Sequence, residues 1–329
     1  MKRYLYFIIF VFMVVMISSC TKIGEKKERD NPFDPQAPNH VVGVNWVKAT
    51  SSAGFSPRRG HTSVVFNNKI WVIGGYTSSG FTNDVWYSSD GINWYLATEN
   101  AGFSPRGWHT SVVFNNKIWV IGGAPETTSN DVWASSDGIN WTKYSTLSSQ
   151  RGSHSSVVFN NAMWIIAGST GSSLENDVWF SGNGTSWIQK QTSAPFSTRS
   201  THSSVVFDDR IWVIGGYLIS ASATNDVWSS LNGTDWYLAT PNANFSKRQS
   251  HSSVVFNNKI WVIGGYNTST GSYLNDVWYS SDGINWYLAT LNANFSKRQS
   301  HSSVVFNNKI WVIGGGTDTS FYNDVWYSE

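Results

Sequence analysis

Six histidines, His61, His109, His154, His202, His251 and His301, stand 48, 45, 48, 49 and 50 residues apart, each with an arginine three positions earlier. Those arginines are Arg58, Arg106, Arg151, Arg199, Arg248 and Arg298. Two kinds of chemistry fit such a set. A circle of imidazoles is a candidate metal site, since neutral imidazole is a common metal ligand. A circle of mouth arginines could hold an anion by charge-assisted hydrogen bonds. Two acids, Glu126 and Glu175, have no counterparts in the repeated pattern, and either one beside such an arginine could serve general acid–base chemistry.

Symmetry argues against the first two readings. A residue present in every unit has a task present in every unit. The simplest is hydrogen bonding to the neighbouring unit, or to an aspartate repeated at Asp84, Asp131, Asp177, Asp226, Asp276 and Asp324. Six histidines around a ring also surround a space too wide for one ion at the roughly 2 Å that zinc requires. No metal and no cofactor is expected.

Cys20 is the only cysteine of 329 residues, so no intramolecular disulfide can form. Before it run Lys2, Arg3 and a short apolar stretch over residues 4–17, shorter than the roughly 20 residues of a membrane span. Charged start, apolar middle and small-residue end make an export signal over residues 1–19. Ile17-Ser18-Ser19-Cys20 resembles a bacterial lipobox, which implies lipid on Cys20 and a membrane contact through that lipid. Thr21, rather than Asp, after the cysteine resembles lipoproteins sent on to the outer membrane or cell surface. Residues 20–40 mix charge with Pro32, Pro35 and Pro38 and lack apolar periodicity, so they read as a lipidated tether.

The elements that must position the repeated residues are strands. Each unit holds a β-branched run, a tight turn, and Lys-Ile-Trp-Val-Ile ending on Gly-Gly. The turns are Asn-Asn in four units, Asp208-Asp209 in the fourth and, as expected from the sequence, Asn161-Ala162 in the third. Asn and Asp tolerate the positive φ of a two-residue hairpin. Asn-Asp-Val-Trp follows, then a Gly-containing turn and a further Trp. Four short strands in about 48 residues, six times over, predict an all-β, six-bladed propeller over residues 41–329. A fourth strand stands alone at the start, around Trp46, and the chain stops after a third strand. The strand over about 42–50 is therefore expected to pair with the one over about 323–328 and close the last blade, removing two exposed edges.

Arg-x-x-His-Ser-Ser-Val-Val-Phe, Ile-Trp-Val-Ile-Gly-Gly, Asn-Asp-Val-Trp and the spaced last Trp resemble the kelch repeat over residues 43–328. The resemblance implies a propeller with the His strand innermost. One departure is Ala167-Gly168, where the first glycine is lost. The family resemblance also brings enzymes into view. Galactose oxidase relies on copper and a Tyr–Cys cross-link, which the lone leader cysteine excludes. Periplasmic sialic-acid mutarotases would need Glu126 or Glu175 with a mouth arginine.

Of 19 tryptophans, 18 recur three per unit and read as packing; Trp108, beside Arg106, falls outside that register. Function is expected where units differ. The loops between second and third strands, and those leading from each fourth strand to the next first strand, share one face. The former carry Tyr76, Phe81, Tyr217, Tyr266, Tyr273, Phe321 and Tyr322 in four units, and Glu126 and Glu175 in the other two. With Trp108 this predicts a lopsided face that binds a protein or a glycan without catalysis. An acid–base enzyme and a purely structural surface element are the other readings. A net charge of +2 with 13% charged residues and no basic stripe gives no footprint for nucleic acid. A single closed ring is expected to be monomeric.

Overall fold

The computed structural model describes residues 42–124, 129–220 and 222–329. They form six antiparallel sheets and no helix. Blade 1 runs Thr62–Phe66, Lys69–Thr77, Gly80–Ser88 and Tyr95–Thr98, from the inner strand to the outer. Blades 2 to 5 repeat that order from inner strands Thr110–Phe114, Ser155–Phe159, Ser203–Phe207 and Ser252–Phe256. Blade 6 takes Ser302–Phe306, Lys309–Gly316 and Phe321–Ser328 from the end of the chain and its outer strand, Val47–Thr50, from the beginning. The expected closure is present. Val47 pairs with Tyr327, Lys48 with Trp326 and Thr50 with Val325.

The hairpin turns carry positive φ at both residues, as in Asn67 (49°) and Asn68 (54°). In blade 3 the turn is Asn160-Asn161, at 46° and 54°, one residue earlier than expected. Two asparagines tolerate the left-handed region better than Asn followed by Ala, and Ala162 opens the next strand instead. Ala167 holds the place of the first glycine, at φ 52°, so the left-handed turn survives loss of the glycine.

Second strands are buried along nearly their whole length, as in Lys69–Thr77, because both faces of each blade are covered by neighbours. The core is accordingly divided into six clusters between blades. One joins Phe55, Ile70, Val72 and Trp94 of blade 1 to Val304, Phe306, Trp311 and Ile313 of blade 6. The glycine of each third-to-fourth-strand turn makes this contact possible. Gly91, at φ +77°, lies so close to Trp311 that a Cβ would stand 2.2 Å from the indole. Gly43 repeats the arrangement against Trp261 of blade 5. Its N–H donates to Ser328 Oγ at 2.8 Å and its carbonyl accepts from Trp46 Nε1 at 3.1 Å. The N-terminal segment thus reproduces the glycine–indole contact, the turn hydrogen bonds of Gly43 and the strand pairing of an ordinary fourth strand. Cys20 and the rest of the expected leader and tether lie outside the described residues.

A candidate recognition face on one side of the ring

The arginines do not line a mouth. Arg58 is fully buried. Its Nη1 and Nη2 donate to the two oxygens of Asp84, each at 2.7 Å, and Nη1 also reaches Gly74 O at 2.9 Å. Its Nε donates to Ser56 O at 3.0 Å, and the guanidinium lies over the Phe55 ring at 5.3 Å. The same pair forms in every blade as Arg106–Asp131, Arg151–Asp177, Arg199–Asp226, Arg248–Asp276 and Arg298–Asp324. Burial pulls the Asp84 carboxyl upward, but Arg58, with Trp86 and Thr82 donating, outweighs it and holds the group below its ordinary value. The anion-ring reading fails here, because each guanidinium is already spent inside its own blade.

The histidines tie blades together. His61 Nε2 meets Ser302 Oγ of blade 6 at 2.9 Å, and His109 Nε2 meets Thr62 Oγ1 of blade 1 at 3.0 Å. His154, His202, His251 and His301 repeat the contact with Thr110, Ser155, Ser203 and Ser252, each at 2.8 Å. Burial, then the neighbouring Arg58, drives His61 down to about 3, against a weaker upward pull from the Ile313 carbonyl. His109, His202 and His301 also fall to about 3, and His154 and His251 lie well below the ordinary value. The six imidazoles are therefore neutral at neutral pH. Their Nδ1 atoms are buried without a partner that meets hydrogen-bond geometry.

One residue before each histidine, the backbone closes on itself. Trp108 N donates to Gly60 O at 2.7 Å, Ser153 N to Trp108 O, Thr201 N to Ser153 O, Ser250 N to Thr201 O, and Ser300 N to Ser250 O. Gly60 N completes the circle on Ser300 O at 2.9 Å. All six residues are left-handed, with φ between 51° and 62°. Trp108 is thus out of register only by its side chain. Its backbone occupies a place that every blade has, in a conformation that is costly for a bulky residue.

Aromatic side chains from several of these loops pack together over blades 5, 6, 1 and 2. Tyr76 stacks on Trp108 at 6.1 Å and packs against Phe81 at 4.9 Å and Phe321 at 5.8 Å. Tyr266 packs against Tyr273 at 4.9 Å, and the Tyr273 hydroxyl accepts from Asp318 N at 2.9 Å. Burial and the Asp318 carboxylate push the Tyr273 phenol up to about 12. Tyr322 lies beneath Arg298 at 4.7 Å. The residue that joins these groups is Arg59, which sequence reasoning overlooked. Its guanidinium covers Phe321 at 5.2 Å and Tyr76 at 5.9 Å, donates to Thr317 O at 2.8 Å and meets Asp318 at 3.5 Å. A signal was available. The residue after the repeated arginine is Gly107, Gly152, Ser200, Gln249 or Gln299 elsewhere, so Arg59 is the one charged residue at that register.

Tyr217 in blade 4 and Glu175 in blade 3 stand apart, with no contact to this cluster among the described residues. Glu175 instead accepts from Ser173 Oγ at 2.5 Å. Glu126 lies outside the described residues, so the acidic half of the expected face rests on Glu175.

The KLHDC2/KLHL20/DRC7 Kelch-repeats domain family matches the chain over residues 40–168, 93–230 and 153–329. No curated protein matches it.

Proposed function

The chain belongs to this Kelch-repeat family, and on that premise we propose that it is a non-enzymatic binding domain that holds a protein partner on the ridge running from Tyr266 to Trp108. A Kelch propeller is a protein-binding scaffold in outline, and the ridge supplies the particular surface. One observation carries the reading. Where six units are nearly alike, Tyr76, Phe81, Trp108 and Phe321 gather from blades 6, 1 and 2 around Arg59, a cluster about an arginine that the described residues do not repeat elsewhere in the ring. Half-buried aromatics around an arginine are the composition of binding hot spots. The ridge is also held in place before any partner arrives, because Arg59 is pinned to Thr317 and Asp318, which reduces the ordering cost of association.

Cross-linking capture followed by affinity measurement with the purified partner tests the ridge. Replacing Arg59 and Phe321 by Ser is expected to weaken binding at least tenfold, on the order of 1.4 kcal/mol or more. Equal affinity for native and variant protein would refute it. The proposed setting is the bacterial envelope, most specifically the outer membrane, with the domain tethered through lipid on Cys20. Metabolic labelling with palmitate should mark the native chain and leave Cys20→Ser unlabelled; an unlabelled native chain refutes the anchor.

A further inference from the structure

At the axis of the ring, on the same side, the six left-handed residues and the six histidines enclose a well of about 120 Å³. The depression is open to solvent on one side, so a small ring would sit partly in it and partly above it, and it is too small to bury a drug-sized ligand. We propose that this well is a binding site for a neutral polyhydroxylated ring, the chemistry of an uncharged pyranose, with Trp108 as its stacking wall.

Charge excludes the alternatives first. Every repeated arginine is neutralised by its aspartate, and the histidines bordering the well have their Nε2 atoms on neighbouring hydroxyls. An anion finds no free cation there. A peptide strand finds no free backbone, because both N–H and C=O of each ring residue are used within the circle. What remains is hydroxyl and indole. Ser153, Ser250 and Ser300 line the well, and their side-chain oxygens have no hydrogen-bond partner among the described residues. Trp108 Nε1 likewise lacks an acceptor among the described residues, unlike Trp71, Trp86 and Trp94 of blade 1, which donate to Phe66 O, Asp84 and Gly91 O. An apolar face of a sugar ring against the indole, with hydroxyls meeting serine oxygens, satisfies both sets.

Trp108 reaches this place through one neighbour. Gly60 is the only glycine in the circle, and a Cβ on it would stand 3.0 Å from Trp108 Cε2 and 3.2 Å from Nε1. The indole therefore lies across Gly60. Ser250 and Ser300 adopt the same backbone conformation, at φ 53° and 52°, so serine fits the circle while its Cβ, at 3.0 Å, forces the indole to shift from its place as the wall. Gly60→Ser separates the wall from the fold.

Ligand-observed saturation-transfer NMR on the full-length protein, in a detergent without a sugar headgroup, is the test. The probes are methyl α-D-glucopyranoside, methyl β-D-galactopyranoside and N-acetylglucosamine, against glucuronate and N-acetylneuraminate. At least one neutral probe is expected to bind and both anions to fail. Trp108→Ala and Gly60→Ser should each weaken the neutral probe about tenfold, equivalent to roughly 1.4 kcal/mol. Gly60→Ser is expected to fold, with a small drop in the thermal transition from a side chain at positive φ. Failure of all neutral probes, equal binding of the anions, or unchanged binding by Trp108→Ala would overturn the site. Partner capture through Arg59 and Phe321 is read separately, so the two assignments fall independently.

Discussion

Lowering the pH from 7.5 to 5 is expected to unfold the propeller steeply, with uptake of about six protons. In the unfolded chain each histidine takes a proton near its ordinary value of 6.5; in the ring, His61, His109, His202 and His301 resist until about 3. His154 and His251 are also held well below the ordinary value. The stability these groups contribute is thus complete above about pH 6.5 and is lost as pH falls towards 3, because the unfolded state binds the protons. At ~1.36 kcal/mol per proton and pH unit, six of them remove on the order of 8 kcal/mol per unit. A typical domain stability of about 5–15 kcal/mol is exhausted near pH 5. Asp131, held at about 2, adds loss of the same sign at still lower pH, where burial is outweighed by Arg106 and Ser129. Urea unfolding midpoints at pH 7.5, 6.5 and 5.5 measure the slope. A dependence of two protons or fewer would contradict the account of the histidines.

The second large effect belongs to the buried ion pairs. Arg248 is fully buried, donates to both oxygens of Asp276 at 2.8 and 2.7 Å, and also reaches Gly264 O at 2.9 Å. Removing one member leaves the other charge buried without its partner. Arg248→Met is expected to cost about 3–5 kcal/mol. Asp276→Leu should cost a similar amount, since it strands the guanidinium. The double variant should lose clearly less than the two together, because neither charge then remains. A denaturant-unfolding double-mutant cycle measures this, and a coupling below about 1 kcal/mol would show that solvent reaches the pair.

The sequence made the architecture legible because the signals repeat. Six copies of one hairpin and an orphan strand at Trp46 suffice to count the blades and to name the partner of Val47–Thr50. Repetition also hid things. Arg58 read as a mouth residue because its sequence position adjoins a loop; only its burial against Phe55 and its reach to Asp84, 26 residues away, show it to be internal. Trp108 read as an intruder, yet its N–H and C=O serve the same circle as those of Ser153 and Thr201, a closure no local pattern encodes. Arg59 needed a comparison across units at a position where most units carry small or uncharged residues. Of the two acids expected on the face, Glu175 turns to its own loop and Glu126 lies outside the described residues.

The outer strand of blade 6 has a mechanical consequence. Val47–Thr50 runs antiparallel to Phe321–Ser328, with Val47 opposite Tyr327 and Thr50 opposite Val325. A pull on the N-terminal side of Val47, directed along the strand, drags it past a neighbour whose own load-bearing attachment, at Phe321, faces the opposite way. The cross-strand bonds are then strained together in shear rather than peeled singly, and the Trp46 side chain, 3% exposed, must be dragged from its socket beside Phe295 as they fail. Tension applied through the leading segment therefore meets the ring at a joint built to resist it.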